Sequence, residues 1–234
     1  MIRGILFDLD NTLLDFMRMK RASVDAAVTA MIDSGMPMPH DEAVRLVYTI
    51  YDEVGIENQE IFDRFLVRAF KTVDYKWLAA GIVAYRRARN NYLVTYPHVR
   101  STLAELLRRG LRLAVISDAP RLGAWLRLAQ LDLHHMFDPV VTFDDTGHRK
   151  PSPVPFERAL SLMGFSPKEV IMVGDWPERD MVGAKQLGIV TVFARYGDVK
   201  NTVESGADYD IDDISQLVQV LNLMDVDEDQ TSLF

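Results

Sequence analysis

The sequence predicts an α/β protein, a parallel-sheet core interrupted after its first strand by an inserted helical domain. Three observations carry that reading. Five short apolar, β-branched runs recur, at residues 2–7, 111–116, 139–142, 170–173 and 189–193. Amphipathic stretches at 121–130, 154–163 and 178–187 separate the last four, as in right-handed βαβ crossovers. Between Asp15 and Tyr96 there is no convincing strand, only four helix-like segments at 17–34, 41–54, 59–70 and 75–93.

Each strand is a near-continuous apolar run, which suits a sheet covered on both faces. The helical block is too long for an ordinary crossover. "SGMPMPHDE" breaks its first two helices, and Asp41 is expected to cap the second. Tyr96-Pro97 marks the return, because proline disfavours helix in the residue before it. The expected division is a core of residues 1–15 and 95–224, a helical domain of 16–94, and a frayed acidic tail of 225–234.

Composition narrows the function. The 234 residues include no cysteine, 48% are apolar, and the formal net charge is −8. That is enough apolar material for a sizeable core. The acidic balance opposes nucleic-acid binding, which needs a basic face. Without cysteine there is neither a disulfide frame nor thiolate chemistry. Arg3, Asp8 and Asp10 are wrong for a signal peptide, and no apolar run reaches the about 18 residues a membrane span needs. A soluble, cytoplasmic protein is expected; oligomeric state is not legible.

The first strand leads into "DLDNT". Residues two apart in a strand face one side, so if extension continues through Leu9, Asp8 and Asp10 point together from its carboxyl end, the edge where open α/β sheets hold ligands. Taken alone, the motif reads more readily as a strand entering a polar turn. The other strand ends change that balance. Ser117 ends the second in "AVISDAP", Lys150 follows the third in "GHRKPSP", and Asp175 ends the fourth in "VGDWPERD", with Asp180 following. Clustered carboxylates repel unless a cation or proton sits among them. Hard oxygen ligands suit Mg²⁺.

"FDLDNT", Ser117, Lys150 and "GDWPERD", in that order and with a helical insert after the first, resemble the haloacid dehalogenase-like (HAD) superfamily, in its phosphatase branch with a helical cap (subfamily I). The stretches "WLAAGIVAYRRARNNYL" and "MVGDWPERDMVGAKQLGIVTVFARYG" are similar to archaeal enzymes described as glyceraldehyde 3-phosphate phosphatases. The resemblance implies a Rossmann-like parallel-sheet core, the HAD fold, with an inserted α-helical cap. It implies a Mg²⁺-dependent phosphoric monoester hydrolase acting on a small phosphorylated metabolite. Asp8 would be the nucleophile and Asp10 the acid–base group. Asp8, the backbone carbonyl of Asp10, and Asp175 would bind Mg²⁺, with Asp180 supporting the metal. Ser117 would hold phosphoryl oxygens and Lys150 would offset negative charge; Asn11, Thr12 and Asp118 complete the substrate-binding candidates. Trp176 and Arg179 depart from the small hydroxyl residue and the Asn that many relatives carry, which puts the bonding around Asp180 in doubt.

Other features carry less. His134-His135 has no matching His or Cys cluster and reads as structural or surface; His148, near Lys150, is a better candidate. The insert's aromatics, among them Phe16, Tyr48, Phe62, Phe65, Tyr75, Trp77 and Tyr85, recur at roughly helical spacing and read as its core. Basic "YRRAR" reads as a solvated helix face. Competing functions are a phosphomutase with the same phospho-aspartate chemistry and a non-catalytic phosphometabolite-binding protein. A dehalogenase is disfavoured by Asp10.

Overall fold

The computed structural model describes residues 1–231, with side chains over 1–224. It comprises two compact units, Met1–Asp15 with Thr95–Phe234, and Phe16–Val94.

The first unit opens with β1 (Gly4–Phe7) and resumes with α5 (Val99–Arg108), β2 (Arg112–Ile116), α6 (Arg121–Gln130), β3 (Val140–Val141) and the short α7 (Phe143–Thr146). It continues through α8 (Pro153–Met163), β4 (Val170–Gly174), α9 (Asp180–Gln186), β5 (Val190–Ala194), β6 (Tyr209–Ile211) and α10 (Leu217–Thr231). The six strands form one parallel sheet in the order β3-β2-β1-β4-β5-β6. β1 and β4 are buried along their whole length, as their unbroken apolar runs require. Leu6, Ala114, Ile116, Val141 and Met172 pack against Phe156, Ala159 and Met163 of α8.

This order positions the site. From β1 the chain builds outward through β2 and β3, then returns to the other side of β1 to lay down β4, β5 and β6. The reversal falls beside β1, and that is where a doubly wound sheet opens a crevice at the strands' carboxyl ends.

All five expected strands are present, with ends shifted by one or two residues. The sheet also has a sixth strand, β6, which is only three residues long and only partly buried. Helix α5 is a further addition, although Val99, Leu103 and Leu106 carry its apolar period. Helix α10 runs to Thr231, into the segment expected to fray. Leu217, Val220 and Leu221 bury its first turns, and an acidic composition does not itself stop a helix. The rest of the expected tail, 232–234, lies outside the described residues.

The second unit is wholly helical: α1 (Phe16–Asp33), α2 (His40–Val54), α3 (Ile61–Phe70) and α4 (Tyr75–Tyr92). Val24, Val28, Met31, Val47, Phe65 and Leu66 lie in its core. Asp74 caps α4, accepting from Lys76 N at 2.8 Å and Trp77 N at 3.3 Å. The cap expected at Asp41 is absent. Pro39 holds the extended N-cap geometry, the helix starts at His40, and Asp41 sits in the first turn, where the helix dipole favours an anion. Tyr75 is another correction to the apolar reading of the insert, being 77% exposed at the start of α4. The unit's buried cation, Lys20, donates to Tyr85 Oη at 3.0 Å and lies 4.7 Å from the Tyr51 ring centroid.

Gly81 lets α4 approach α1. A Cβ there would lie 2.1 Å from Met31 Cε and 3.0 Å from its Cγ. Gly81→Leu is therefore expected to overpack this interface and cost about 1–3 kcal/mol, read as a lower denaturant midpoint at unchanged slope. An unchanged midpoint would show that the helices part freely.

Candidate active site

Asp8 follows the last residue of β1, and its backbone N–H donates to Val173 O of β4 at 2.9 Å. The carboxylate thus leaves the sheet from a strand pinned to its neighbour. Asp175 follows β4 in the same way. Asp8, Asp175 and Asp180 are all buried, and one carboxylate oxygen from each lies within 4.8 Å of the others. Lys150 is buried as well, and its Nζ donates to Asp8 Oδ1 and, at 2.6 Å, to Asp180 Oδ1.

One ammonium cannot balance three buried carboxylates. The imbalance appears in the acidities. Burial pushes the Asp175 carboxyl well above the usual range; Asp8 and Asp180 push it further, against Lys150 and Thr12. Burial likewise raises Asp180 to about 6, with Asp8 adding to the rise and Lys150 opposing it. Burial alone would lower Lys150, yet Asp180, Asp8 and Asp118 outweigh it and raise the ammonium's pKa. The group lacks positive charge, and its donors are hard oxygens; both fit a divalent cation. Asp8, Asp175 and Asp180 are the side chains that could hold one.

The acidities give a signed pH dependence. A carboxyl raised by folding binds its proton more tightly in the native state, so stability falls as pH rises through the window. For Asp180 that window runs from its ordinary 3.8 to about 6. In metal-free protein, the melting temperature of Asp180→Asn minus that of wild type is expected to grow across it. A difference that stays flat with pH would contradict the shift. Added Mg²⁺ is expected to raise the wild-type melting temperature more at pH 7 than at pH 5, because the metal competes with protons.

The remaining sequence candidates separate into roles. Thr12 Oγ1 donates to Asp175 Oδ1 at 3.1 Å and lies 3.4 Å from Asp8 Oδ2, so its hydroxyl is engaged by the carboxylates. Asn11 has a positive φ of 62°, a conformation Asn tolerates, and its N–H closes the turn onto Leu14 O at 2.7 Å. Ser117 is buried at the end of β2, with its Oγ accepting from Ala119 N at 3.2 Å. Asp118 Oδ1 accepts from Lys150 N at 2.9 Å, and its Oδ2 accepts from Arg179 Nη1 at 3.0 Å. The carboxylate joins two loops. Asp10 lies outside the three-carboxylate group, and its Oδ2 pairs with Arg127 Nη1 at 2.9 Å. His148 is exposed, with Nδ1 2.8 Å from Thr146 O, and His134 and His135 are exposed on the surface.

The departure at Trp176 leaves Asp180 well held. Trp176 N donates to Asp180 Oδ2 at 3.0 Å, so a backbone group does the work. Gly174 makes room, since a Cβ there would lie 2.4 Å from Asp180 Cγ.

Three contributors escaped the sequence reading. Arg127 is a buried charge on the face of α6 that also buries Ala124 and Leu128, and that misplaced charge was its signal. Tyr196 Oη donates to Thr12 O at 2.9 Å, and its ring meets that of Tyr96 edge-on at 5.0 Å. Gly197 lies so near the first loop that a Cβ would stand 1.6 Å from Asn11 O.

Comparison with known proteins gives the family. A family model described as haloacid dehalogenase-like hydrolase matches residues 2–188. The chain is 34% identical over 223 residues to the "Glyceraldehyde 3-phosphate phosphatase" of Pyrococcus furiosus, covering 94% of this chain and 93% of that protein. It is 34% identical over 222 residues to the protein of the same name in Methanocaldococcus jannaschii, covering 94% and 97%. The crystal structure of an HAD phosphatase from Thermococcus onnurineus superposes with a TM-score of 0.69 at 25% identity, over 94% of this chain and 98% of that one. With the family model spanning most of its length, the chain belongs to the haloacid dehalogenase-like hydrolases.

Proposed function

We propose that this protein is a Mg²⁺-dependent phosphatase that hydrolyses a small phosphorylated metabolite through an aspartyl-phosphate. The observation that supports it most is the buried group of Asp8, Asp175 and Asp180 around Lys150, at the strand ends where Asp10 and Ser117 also emerge.

Asp8 Oδ attacks phosphorus, and the bond from phosphorus to the leaving oxygen breaks. That oxygen takes a proton from the Asp10 carboxyl. In the second step Asp10, now a carboxylate, accepts a proton from water as the water attacks phosphorus. The bond to Asp8 breaks, giving inorganic phosphate and the free carboxylate. Acid–base help of this kind is worth about 10²–10⁴ in rate. Arg127 orients Asp10. Ser117 and neighbouring backbone N–H groups hold phosphoryl oxygens, and Lys150 offsets the charge on Asp8 and the phosphoryl group. Mg²⁺ held by Asp8, the Asp10 carbonyl and Asp175, with Asp180 in support, would supply the remaining charge compensation. Positioning and charge then provide most of the rate.

The names of the relatives make glyceraldehyde 3-phosphate the first substrate to test. Phosphate release is to be measured across phosphorylated sugars, organic acids and nucleotides, with Mg²⁺ and with chelator. The reading expects chelator-sensitive release, fastest from glyceraldehyde 3-phosphate. Release that ignores chelator removes the metal from the account, and a different ranking replaces the substrate.

The helical unit, 16–94, contains none of these reactive residues, and we assign it the choice of substrate. Exchanging it for the corresponding unit of a relative with another substrate is expected to transfer that preference. A folded chimera that keeps the original ranking overturns the assignment.

A further inference from the structure

We propose that Arg179 is a positioning residue of this site, acting on the reaction through Asp118 and Lys150. The inference rests on the role given to Lys150 above and extends it.

Three loops meet at Asp118. It follows Ser117 at the end of β2. Its Oδ1 accepts the backbone N–H of Lys150, from the loop before α8, at 2.9 Å. Its Oδ2 accepts Arg179 Nη1, from the loop after β4, at 3.0 Å. The Asp118 side chain is only 16% exposed, so losing one partner leaves a largely desolvated carboxylate oxygen unpaired. Its usual escape is rotation toward solvent, which would also release the Lys150 N–H.

That N–H matters because it anchors the stem of the site's buried cation. Lys150 Nζ lies between Asp8 and Asp180, and the backbone at residue 150 sets where its side chain starts. Loosening the anchor moves the ammonium relative to the oxygen of Asp8. A misplacement of about 1 Å in a reacting group can cost on the order of 10²-fold.

Arg179 is itself held in place. Its Cζ lies 3.6 Å from the centroid of the Trp176 ring, and Lys200 Nζ lies 3.7 Å from the same centroid. Both cations lie against the indole, and the backbone N–H of Trp176 holds Asp180 Oδ2. The guanidinium can stack and donate at once because its donors lie in the plane of the group; a lysine ammonium cannot do both. Trp176 and Arg179, the two departures in this motif, thus form one device. It ties the Asp180 loop to the Lys150 loop by way of Asp118.

The test uses the full chain and Arg179→Met, which keeps an apolar stem over the indole and removes the bond to Asp118. Amide hydrogen exchange is read by NMR at Lys150, and Mg²⁺-dependent turnover is read with 4-nitrophenyl phosphate. Exchange at the Lys150 amide is expected to accelerate about tenfold or more. The kcat is expected to fall about 10- to 100-fold, with KM within about threefold and little change in melting temperature. Asp118→Ala should reproduce both effects, and adding Arg179→Met to it should change neither further. If Arg179→Met folds poorly, Arg179→Gln takes its place and is read in the same two ways. Unchanged exchange at Lys150 in a folded variant overturns the inference, as do additive losses in the double variant. A wild-type protein that releases no phosphate would instead overturn the phosphatase reading, and the exchange rates would still decide this one.

Discussion

Asp8→Asn is expected to abolish turnover while leaving the protein folded. An amide is a poor nucleophile, so no phosphoenzyme forms, and the loss should be on the order of 10⁴–10⁶-fold, as when a nucleophile is removed from other hydrolases. The fold should survive for an electrostatic reason. The substitution removes one of three mutually repelling buried carboxylates, and Lys150 keeps its bond to Asp180 at 2.6 Å. In metal-free protein the melting temperature should therefore hold or rise. Paired measurements of turnover and melting check this. Substantial remaining turnover would move the nucleophile elsewhere, and a collapse in melting temperature would make Asp8 a structural partner of Lys150.

The second large effect is expected at a residue with no chemistry. A Cβ at Gly197 would stand 1.6 Å from Asn11 O, 2.8 Å from Asn11 C and 3.2 Å from Asp175 Cβ. Two of those atoms are backbone and cannot rotate away. Gly197→Ala must push the turn after β1 or the loop after β4, and each carries a carboxylate of the proposed metal group. Displacement of about 1 Å there should lower kcat on the order of 10²-fold and raise the Mg²⁺ concentration needed for half-maximal activity. Mg²⁺ titration of activity and of melting temperature reads both. Wild-type behaviour in each would mean the loop carrying Gly197 yields freely.

Much of this site was legible because strand chemistry is local. An apolar run that ends in a carboxylate marks a strand tip, and "ILFDLDNT" puts Asp8 there; the strand period does not carry as far as Asp10, since β1 ends at Phe7 and Asp10 lies outside the three-carboxylate group. Asp175 and Ser117 were legible by the same rule, each ending an apolar run. What escaped depends on distant segments meeting. Gly197 and Tyr196 end the stretch "TVFARYG", which resembles relatives but gives neither residue a role; only the fold brings them against Asn11 and Thr12. Asp118 could be placed beside the phosphate by its neighbour Ser117, but its bonds to Lys150 and Arg179 span 32 and 61 residues. Arg127 did leave a trace, a charge on the buried face of α6, which a pattern search for apolar residues passes over. Strand β6 left almost none. Three residues at a sheet edge, of which only Ile211 is buried, carry too little burial to stand out from a loop.

The central claim, a phosphate carried on Asp8 and released with the help of Asp10, is tested most directly in Asp10→Asn. A nitrophenolate leaves without a proton, so the first step should be little affected. The second step lacks its base and should slow by about 10²–10⁴. Asp10 is expected to meet the metal through its backbone carbonyl, which the substitution keeps. Rapid mixing of this variant with Mg²⁺ and 4-nitrophenyl phosphate is predicted to give a burst of nitrophenolate near one per protein, then slow turnover, and acid quenching should recover the phosphate on the peptide containing Asp8. Phosphate recovered on another residue, or a folded, metal-bound variant with wild-type turnover of a sugar phosphate, would contradict the account.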